Sequence, residues 1–139
     1  MGTPPRVTGL HVYETVLYAP DLAAVRPFYA TVLGLTDISR NLPRGLAFRV
    51  DDRSILLIFN PALTRLHHDL VPSHGCDGGG HVAFRIERGT LEDWQVKLIA
   101  AGYPIEREVD WHTGARSIYV RDPAGNSVEL VEGEIWPRG

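Results

Sequence analysis

Few residues in this 139-residue chain are placed to do chemistry, and they stand beside apolar runs. Glu129 lies in "DPAGNSVEL", next to Val128, Leu130 and Val131; His81 opens "HVAFRIE"; Glu14 sits inside "HVYETVLY". Carboxylates and an imidazole on strands can be plain ion-pair partners, or, where several face one cavity, acid–base groups or ligands to a divalent cation. Side chains alternate along a strand, so Glu14 shares a face with Val12, Val16 and Tyr18, His81 with Ala83 and Arg85, and Glu129 with Ser127 and Val131. The opposite faces carry Leu17, then Val82, Phe84 and Ile86, then Val128 and Leu130, sets that suit packing on helices. The plainer alternatives are Glu14 paired with Arg85 or Arg116, and His81 as a hydrogen-bonded structural histidine.

Other reactive side chains cluster between residues 61 and 80. His74 lies seven residues before His81 and could serve as a fourth ligand or as a general acid/base, because an unperturbed imidazole titrates near about 6.5. His67 and His68 read as exposed loop residues, and His112 of "DWHTG" is an alternative loop residue near the site. Arg116 and Tyr119 point to opposite faces of their strand, so one of them faces the site. Cys76, the sole cysteine, excludes an intrachain disulfide and could act as a nucleophile only with an activating partner, which the sequence does not identify.

The elements that must position these groups follow from patterning. "HVYETVLY" reads as a strand. From Asp21, an N-cap, "DLAAVRPFYATVLG" puts Leu22, Val25, Phe28, Tyr29, Val32 and Leu33 on one helical stripe that Gly34 stops, with Pro27 inside it predicting a lost hydrogen bond and a kink. "GLAFRV" and "SILLIFNP" read as strands joined by "DDR"; residues 61–80 read as an irregular linker. "HVAFRIE" is the next strand, "TLEDWQVKLIAAG" a helix capped by Thr90 and stopped by Gly102, "YPIEREVDW" an extended segment, and "ARSIYVRD" and "NSVELVE" two further strands.

The second half thus repeats the first. Glu14 precedes His81 by 67 residues and Gly34 precedes Gly102 by 68, a fixed period that fits two βαβββ modules. The predicted fold is α+β: one domain over residues 1–139, with module 1 at about 9–60, the linker at 61–80, module 2 at about 81–132 and a tail at 133–139. A half-sheet with helices on one face leaves its other face uncovered, so two copies should form an open mixed-sheet cup. A Gly-rich "HGCDGGG" loop could act as a lid at its rim.

Three of these stretches, "ETVLYAPDLAAVRPFYATVLGL", "GGGHVAFRI" and "DPAGNSVELVE", resemble the vicinal oxygen chelate superfamily, which includes glyoxalase I, extradiol dioxygenases, fosfomycin resistance enzymes and bleomycin-binding proteins. The resemblance covers roughly residues 8–132. It implies a glyoxalase-like fold and a divalent metal ion. A first-strand ligand, commonly histidine or glutamine, stands in that family seven residues before the Asp that opens the helix, a position held here by Glu14. The family's second-module ligands match His81 and Glu129. Four-ligand members also use a glutamate in the last strand of module 1, where "SILLIFNP" offers only apolar side chains, so the implied set is three.

Two carboxylates in one cup are costly without a cation, since like charges and desolvation both oppose ionisation. One imidazole with two carboxylates suits Mn²⁺, Fe²⁺, Ni²⁺, Zn²⁺ or Mg²⁺ and leaves positions for substrate. The expected function is therefore a glyoxalase-like metalloenzyme acting on a small oxygen-chelating substrate: a lyase, isomerase, dioxygenase or ring-opening transferase. Glu14 and Glu129 are candidates for a carboxylate that leaves the metal to act as base, with His74 as a further catalytic candidate. A dioxygenase typically asks for two histidines and one carboxylate, which disfavours that subclass unless His74 coordinates. The alternative is a metal-free small-molecule-sequestering protein resembling bleomycin-resistance proteins, its cleft lined by Trp111, Trp136 and Tyr18.

A formal net charge of −3 and a pI near 6.0 offer no basic field, so nucleic acid is not an expected partner. "MGTPPRVTG" lacks a signal-peptide apolar region and no run is long enough to span a bilayer, so the expectation is a cytoplasmic protein without a membrane partner. The resemblance implies a homodimer, in which Glu14 of one chain could meet His81 and Glu129 of the other.

Overall fold

In the computed structural model, residues 2–5, 9–40, 44–67 and 69–137 are described. Strand β1 (Glu14–Tyr18) leads through the Asp21 N-cap into α1 (Leu22–Pro27), followed by β2 (Thr36–Asp37), β3 (Gly45–Arg49) and β4 (Ile55–Phe59). A short α2 (Pro61–Thr64) intervenes. The second module then runs β5 (His81–Arg85), α3 (Leu91–Ala100), β6 (Arg107–Asp110), β7 (Arg116–Arg121) and β8 (Ser127–Glu132). The strands form two four-stranded sheets, ordered β1-β4-β3-β2 and β5-β8-β7-β6, each with one parallel pair at the β1–β4 or β5–β8 position. The predicted βαβββ repeat is therefore present twice, in mixed open sheets.

Helix α1 shows how local sequence shapes the scaffold. Asp21 accepts from the backbone N–H of Ala24 at 3.3 Å, as its type and position predict. Pro27 carries no N–H and its ring crowds the preceding turn, and the expected kink takes the form of a π turn over Phe28–Val32, where Leu33 donates to the Phe28 carbonyl five residues back. That wider turn keeps Phe28, Tyr29 and Val32 in the core.

Two expectations need correction. Thr90 does not cap α3 with its side chain; its hydroxyl donates instead to the Glu87 carbonyl, and Glu92 and Asp93 in the first turn supply the negative charge that the helix N-terminus favours. The 61–80 segment is not wholly irregular either, because Asn60 caps α2 by accepting from Ala62 N–H at 3.0 Å and Pro61 starts the turn with a preset φ.

The apolar strand faces predicted from parity meet as one core shared by both modules, including Leu17, Phe48, Ile58, Leu98, Val128 and Leu130. A polar lock joins the modules within it. Tyr29 Oη donates to Asp122 Oδ2 at 2.7 Å, and Asn126 Nδ2 donates to Asp122 Oδ2 at 2.9 Å and to the Tyr18 carbonyl at 3.1 Å. Asp122, Asn126 and Tyr29 are all buried. Burial comes first, and then the Asp122 carboxylate beside it, in pushing the Tyr29 phenol far above its ordinary value. Gly125 holds φ 87° in the tight turn that brings these groups together.

Among the described residues no helix is long and apolar enough to cross a membrane.

Candidate metal and substrate site

The face of the second sheet turned away from the core lines a cleft of about 490 Å³. Strand register decides what stands there. Ala83 pairs with Glu129 and Glu129 with Tyr119, so His81, Ala83, Arg85, Tyr119, Glu129 and Val131 all face the cleft. Parity thus selects Tyr119 over Arg116, whose guanidinium pairs with Glu92 at 2.7 Å.

His81 Nε2 lies 3.3 Å from Glu129 Oε1. The outer atom of each partner is tied. His81 Nδ1 lies 3.1 Å from the Ser127 carbonyl, which can only accept, so Nδ1 carries a proton. Ser117 Oγ donates to Glu129 Oε2 at 2.6 Å, and Trp111 Nε1 donates to Ser117 Oγ at 2.9 Å. The neutral imidazole therefore turns a lone pair toward a carboxylate oxygen that also carries lone pairs. Only a cation between or on them relieves that opposition: a proton on Nε2, or a metal ion bound by both. Two ligand atoms each about 2.1 Å from one metal, at angles between square and tetrahedral, stand about 3.0–3.4 Å apart, which the observed separation matches. An imidazole whose other nitrogen donates to a backbone carbonyl is also the usual form of a metal-bound histidine.

Exposure divides the pair. The Glu129 side chain is 7% accessible and the His81 side chain 50%. The Tyr119 ring stacks on His81 at 6.3 Å between centroids and 20° between planes. Burial, then the Glu129 charge with which it hydrogen-bonds, holds the Tyr119 phenol above its ordinary value, so it remains a donor at neutral pH. Arg85 is already engaged by Glu134 at 2.7 Å.

The other sequence candidates lie elsewhere. Glu14 is exposed at the start of β1, paired in register with Ile55, and its side chain makes no hydrogen bond or ion pair among the described residues. Among the described residues of one chain, no group of three His, Cys, Asp or Glu side chains is close enough to hold a metal. Glu14 is thus not gathered with His81 and Glu129 within a single chain. His74 sits on the first sheet despite its nearness to His81 in sequence. Its Nδ1 lies 2.6 Å from Tyr18 Oη, and its ring packs on Tyr18 and Phe59 with centroid distances of 5.8 and 5.3 Å. Tyr18 lies two and four residues from Val16 and Glu14 on one strand face, so His74 and Glu14 belong to the same side of β1.

His67 is exposed and pairs with Asp69 at 3.0 Å, while His68 lies outside the described residues. His112 is exposed in the β6–β7 turn. Cys76 is exposed beside Tyr18 and Asp77 at a separate pocket of about 230 Å³. In the "HGCDGGG" loop, a Cβ on Gly79 would stand 2.5 Å from the Gly125 carbonyl oxygen, and Gly80 N–H donates to Asn126 Oδ1 at 2.7 Å. The last glycines of that loop are packed against the polar lock, contrary to a free lid over their length. Ser117 is the residue sequence reading missed. Its signal lay in the alternation of "SIYV", where Ile118 and Val120 enter the core and Ser117 and Tyr119 take the Glu129 side.

Residues 10–130 match the Glyoxalase family, described as the Glyoxalase/Bleomycin resistance protein/Dioxygenase superfamily. The crystal structure of lactoylglutathione lyase from Agrobacterium tumefaciens is similar at 34% identity and a TM-score of 0.84, covering 98% of this chain and all of that one (100%). A glyoxalase/bleomycin resistance protein/dioxygenase from Nocardioides is similar at 26% identity and a TM-score of 0.74, over 96% of this chain and 93% of that one. Among curated proteins, metallothiol transferase FosB from Bacillus licheniformis is 36% identical over 63 residues, 45% of this chain and 41% of the relative. FosB from Shouchella clausii is 37% identical over 62 residues, 42% and 41% of the two chains. The chain spans about two-fifths of the length of the curated relatives it matches.

Proposed function

The chain belongs to the glyoxalase/bleomycin resistance protein/dioxygenase superfamily, and on that premise we propose that it is a divalent-metal-dependent enzyme of the lyase or isomerase type, acting on a small substrate with two neighbouring oxygens. The observation that carries this reading is the His81 Nε2–Glu129 Oε1 approach of 3.3 Å, with each partner's outer atom tied back so that lone pairs meet. His81 and Glu129 of one chain hold the metal, and Glu14 of a second copy completes the set. An exposed apolar approach supports that dimer: Leu10, Val12 and Tyr13, just before Glu14, are 98, 70 and 63% accessible in one chain, surface that a second copy would cover. The metal is Mn²⁺, Fe²⁺, Ni²⁺, Zn²⁺ or Mg²⁺, as the mixed nitrogen and oxygen donors allow.

When bound, the cation polarises the substrate oxygens and lowers the cost of negative charge developing on them. The residues of the chain divide the remaining work. Glu129, fixed at Oε2 by Ser117, is the static ligand. Glu14, without a partner among the described residues of its own chain, is the carboxylate free to move and take a substrate proton. Tyr119, kept protonated by burial and by Glu129, spends its proton on that carboxylate and helps to hold it while its ring stacks on His81. His74 enters the shared site on the same sheet face as Glu14 and is a second candidate for proton transfer.

His81→Ala and Glu129→Ala should lower bound metal from about one per chain to none in elemental analysis after Mn²⁺ reloading, with the circular dichroism of the wild type retained. Stoichiometric metal in both variants would sink the reading. A wild type that takes up no metal from Mn²⁺, Fe²⁺, Ni²⁺ or Zn²⁺ would favour instead a sequestering protein. In that case His81 and Glu129 form an ordinary ion pair, and Trp111 and Trp136 in the cleft supply the binding surface.

A further inference from the structure

We propose that Ser117, oriented by Trp111, is a positioning residue that sets which oxygen of Glu129 faces His81, and that it thereby ties the cleft wall to the metal ligand. The inference rests on the metal reading above. Its direction is fixed by donor chemistry. An indole N–H can only donate, so Trp111 Nε1 gives its proton to Ser117 Oγ at 2.9 Å, and the hydroxyl's single proton is left for Glu129 Oε2 at 2.6 Å. A carboxylate can accept but not return it. The chain therefore runs one way, from Trp111 through Ser117 to Glu129, and leaves Oε1 turned toward His81 Nε2.

Burial makes this arrangement stiff. Ser117 is 1% and Glu129 5% accessible, so neither can exchange its partner for bulk water without leaving a buried polar atom unpaired. The diagonal geometry of the sheet sets the reach. Ser117 pairs with Val131 and Tyr119 with Glu129, which places Ser117 one step along the strand from Glu129 on the same face. Trp111 is anchored in turn by the β6–β7 hairpin: its backbone N–H donates to the Ala115 carbonyl at 2.8 Å, and its backbone carbonyl accepts from Gly114 N–H at 3.0 Å, where the Gly114 φ is 87°. The indole ring of Trp111 also lines the cleft. A substrate pressed on that ring consequently bears on the hydrogen bond that holds Glu129, through one intervening hydroxyl.

Mn²⁺ titration of the metal-free full chain, reading free ion by its electron paramagnetic resonance signal, tests this without turnover. Ser117→Ala should weaken binding about 10- to 100-fold, the range for outer-shell partners of metal ligands, and Trp111→Phe about tenfold. The distinguishing result is the double variant. If Trp111 acts through Ser117, Ser117→Ala/Trp111→Phe binds no more weakly than Ser117→Ala alone, whereas independent structural damage adds. Wild-type affinity in Ser117→Ala, or additive losses in the double variant, would overturn the inference while leaving the metal reading intact. Failure of the wild type to bind Mn²⁺ would overturn both. If Ser117→Ala does not fold, Trp111→Phe, which keeps an aromatic ring in the wall, decides alone, with unchanged affinity counting against the proposal.

Discussion

The two modules share strand order, register and connectivity, yet they put different chemistry at matching positions. In the second sheet Ala83 pairs with Glu129 and Glu129 with Tyr119; in the first, Val16 pairs with Leu57 and Leu57 with Ala47. A carboxylate and a phenol in one module thus correspond to a leucine and an alanine in the other. The hairpins that join the antiparallel pairs β3–β4 and β7–β8 differ in exposure. Asp51 of the first accepts from Arg53 N–H at 2.8 Å and from Ser54 Oγ at 3.0 Å in open solvent, whereas Asp122 of the second is buried and bonded to Tyr29 of the other module. Backbone topology constrains which faces exist, and side-chain choice alone decides which face becomes a site and which turn becomes a lock.

The hairpin contrast has a measurable size. Asp122→Ala removes the acceptor of a buried tyrosine and a buried asparagine and should cost about 3 kcal/mol, or roughly 10 °C in Tm. Asp51→Ala should leave the urea midpoint close to that of the wild type. Equal losses for the two variants would mean that the lock contributes no more than a solvated turn.

A smaller effect appears with pH. The Tyr29 phenol is held well above its unfolded value near 10.0 by burial and then by Asp122. The folded chain therefore keeps a proton that the unfolded chain releases. Stability is fully present below pH 10 and falls above it, by about 1.4 kcal/mol per pH unit for this one group. Urea midpoints between pH 9.5 and 11.5 should show that slope, and Tyr29→Phe should be less stable at pH 8 but flatter. An unchanged slope in Tyr29→Phe would place the alkaline loss elsewhere.

Much of this asymmetry was legible in the sequence. The 67-residue spacing from Glu14 to His81, the Asp21 cap and the alternation around Glu129 together yield the repeat, the helix and the polar face, because each follows from local geometry that the whole fold respects. What the sequence concealed depends on contacts between distant segments. His74 is close to His81 along the chain but is carried to the first sheet by the 61–80 segment, where its backbone N–H donates to the Thr64 carbonyl at 2.9 Å. Ser117 looks like a neutral strand residue until Trp111 and Glu129 are seen to bracket it. Thr90 has the type of a cap and uses its hydroxyl otherwise, since the Glu87 carbonyl lies within reach. Cap identity reads from sequence only where no nearer acceptor competes.

If His81 and Glu129 of one chain share a metal with Glu14 of another, mixed dimers should reveal it. Glu14→Ala and Glu129→Ala chains, co-expressed with different tags and isolated as the heterodimer, carry one fully intact site if the ligands come from two chains, by the two-fold exchange of matching surfaces. Little metal is expected in either variant alone and about half the wild-type content in the heterodimer. Full metal in Glu14→Ala by itself, or a heterodimer as empty as its parents beside a loaded wild type, would contradict a shared site.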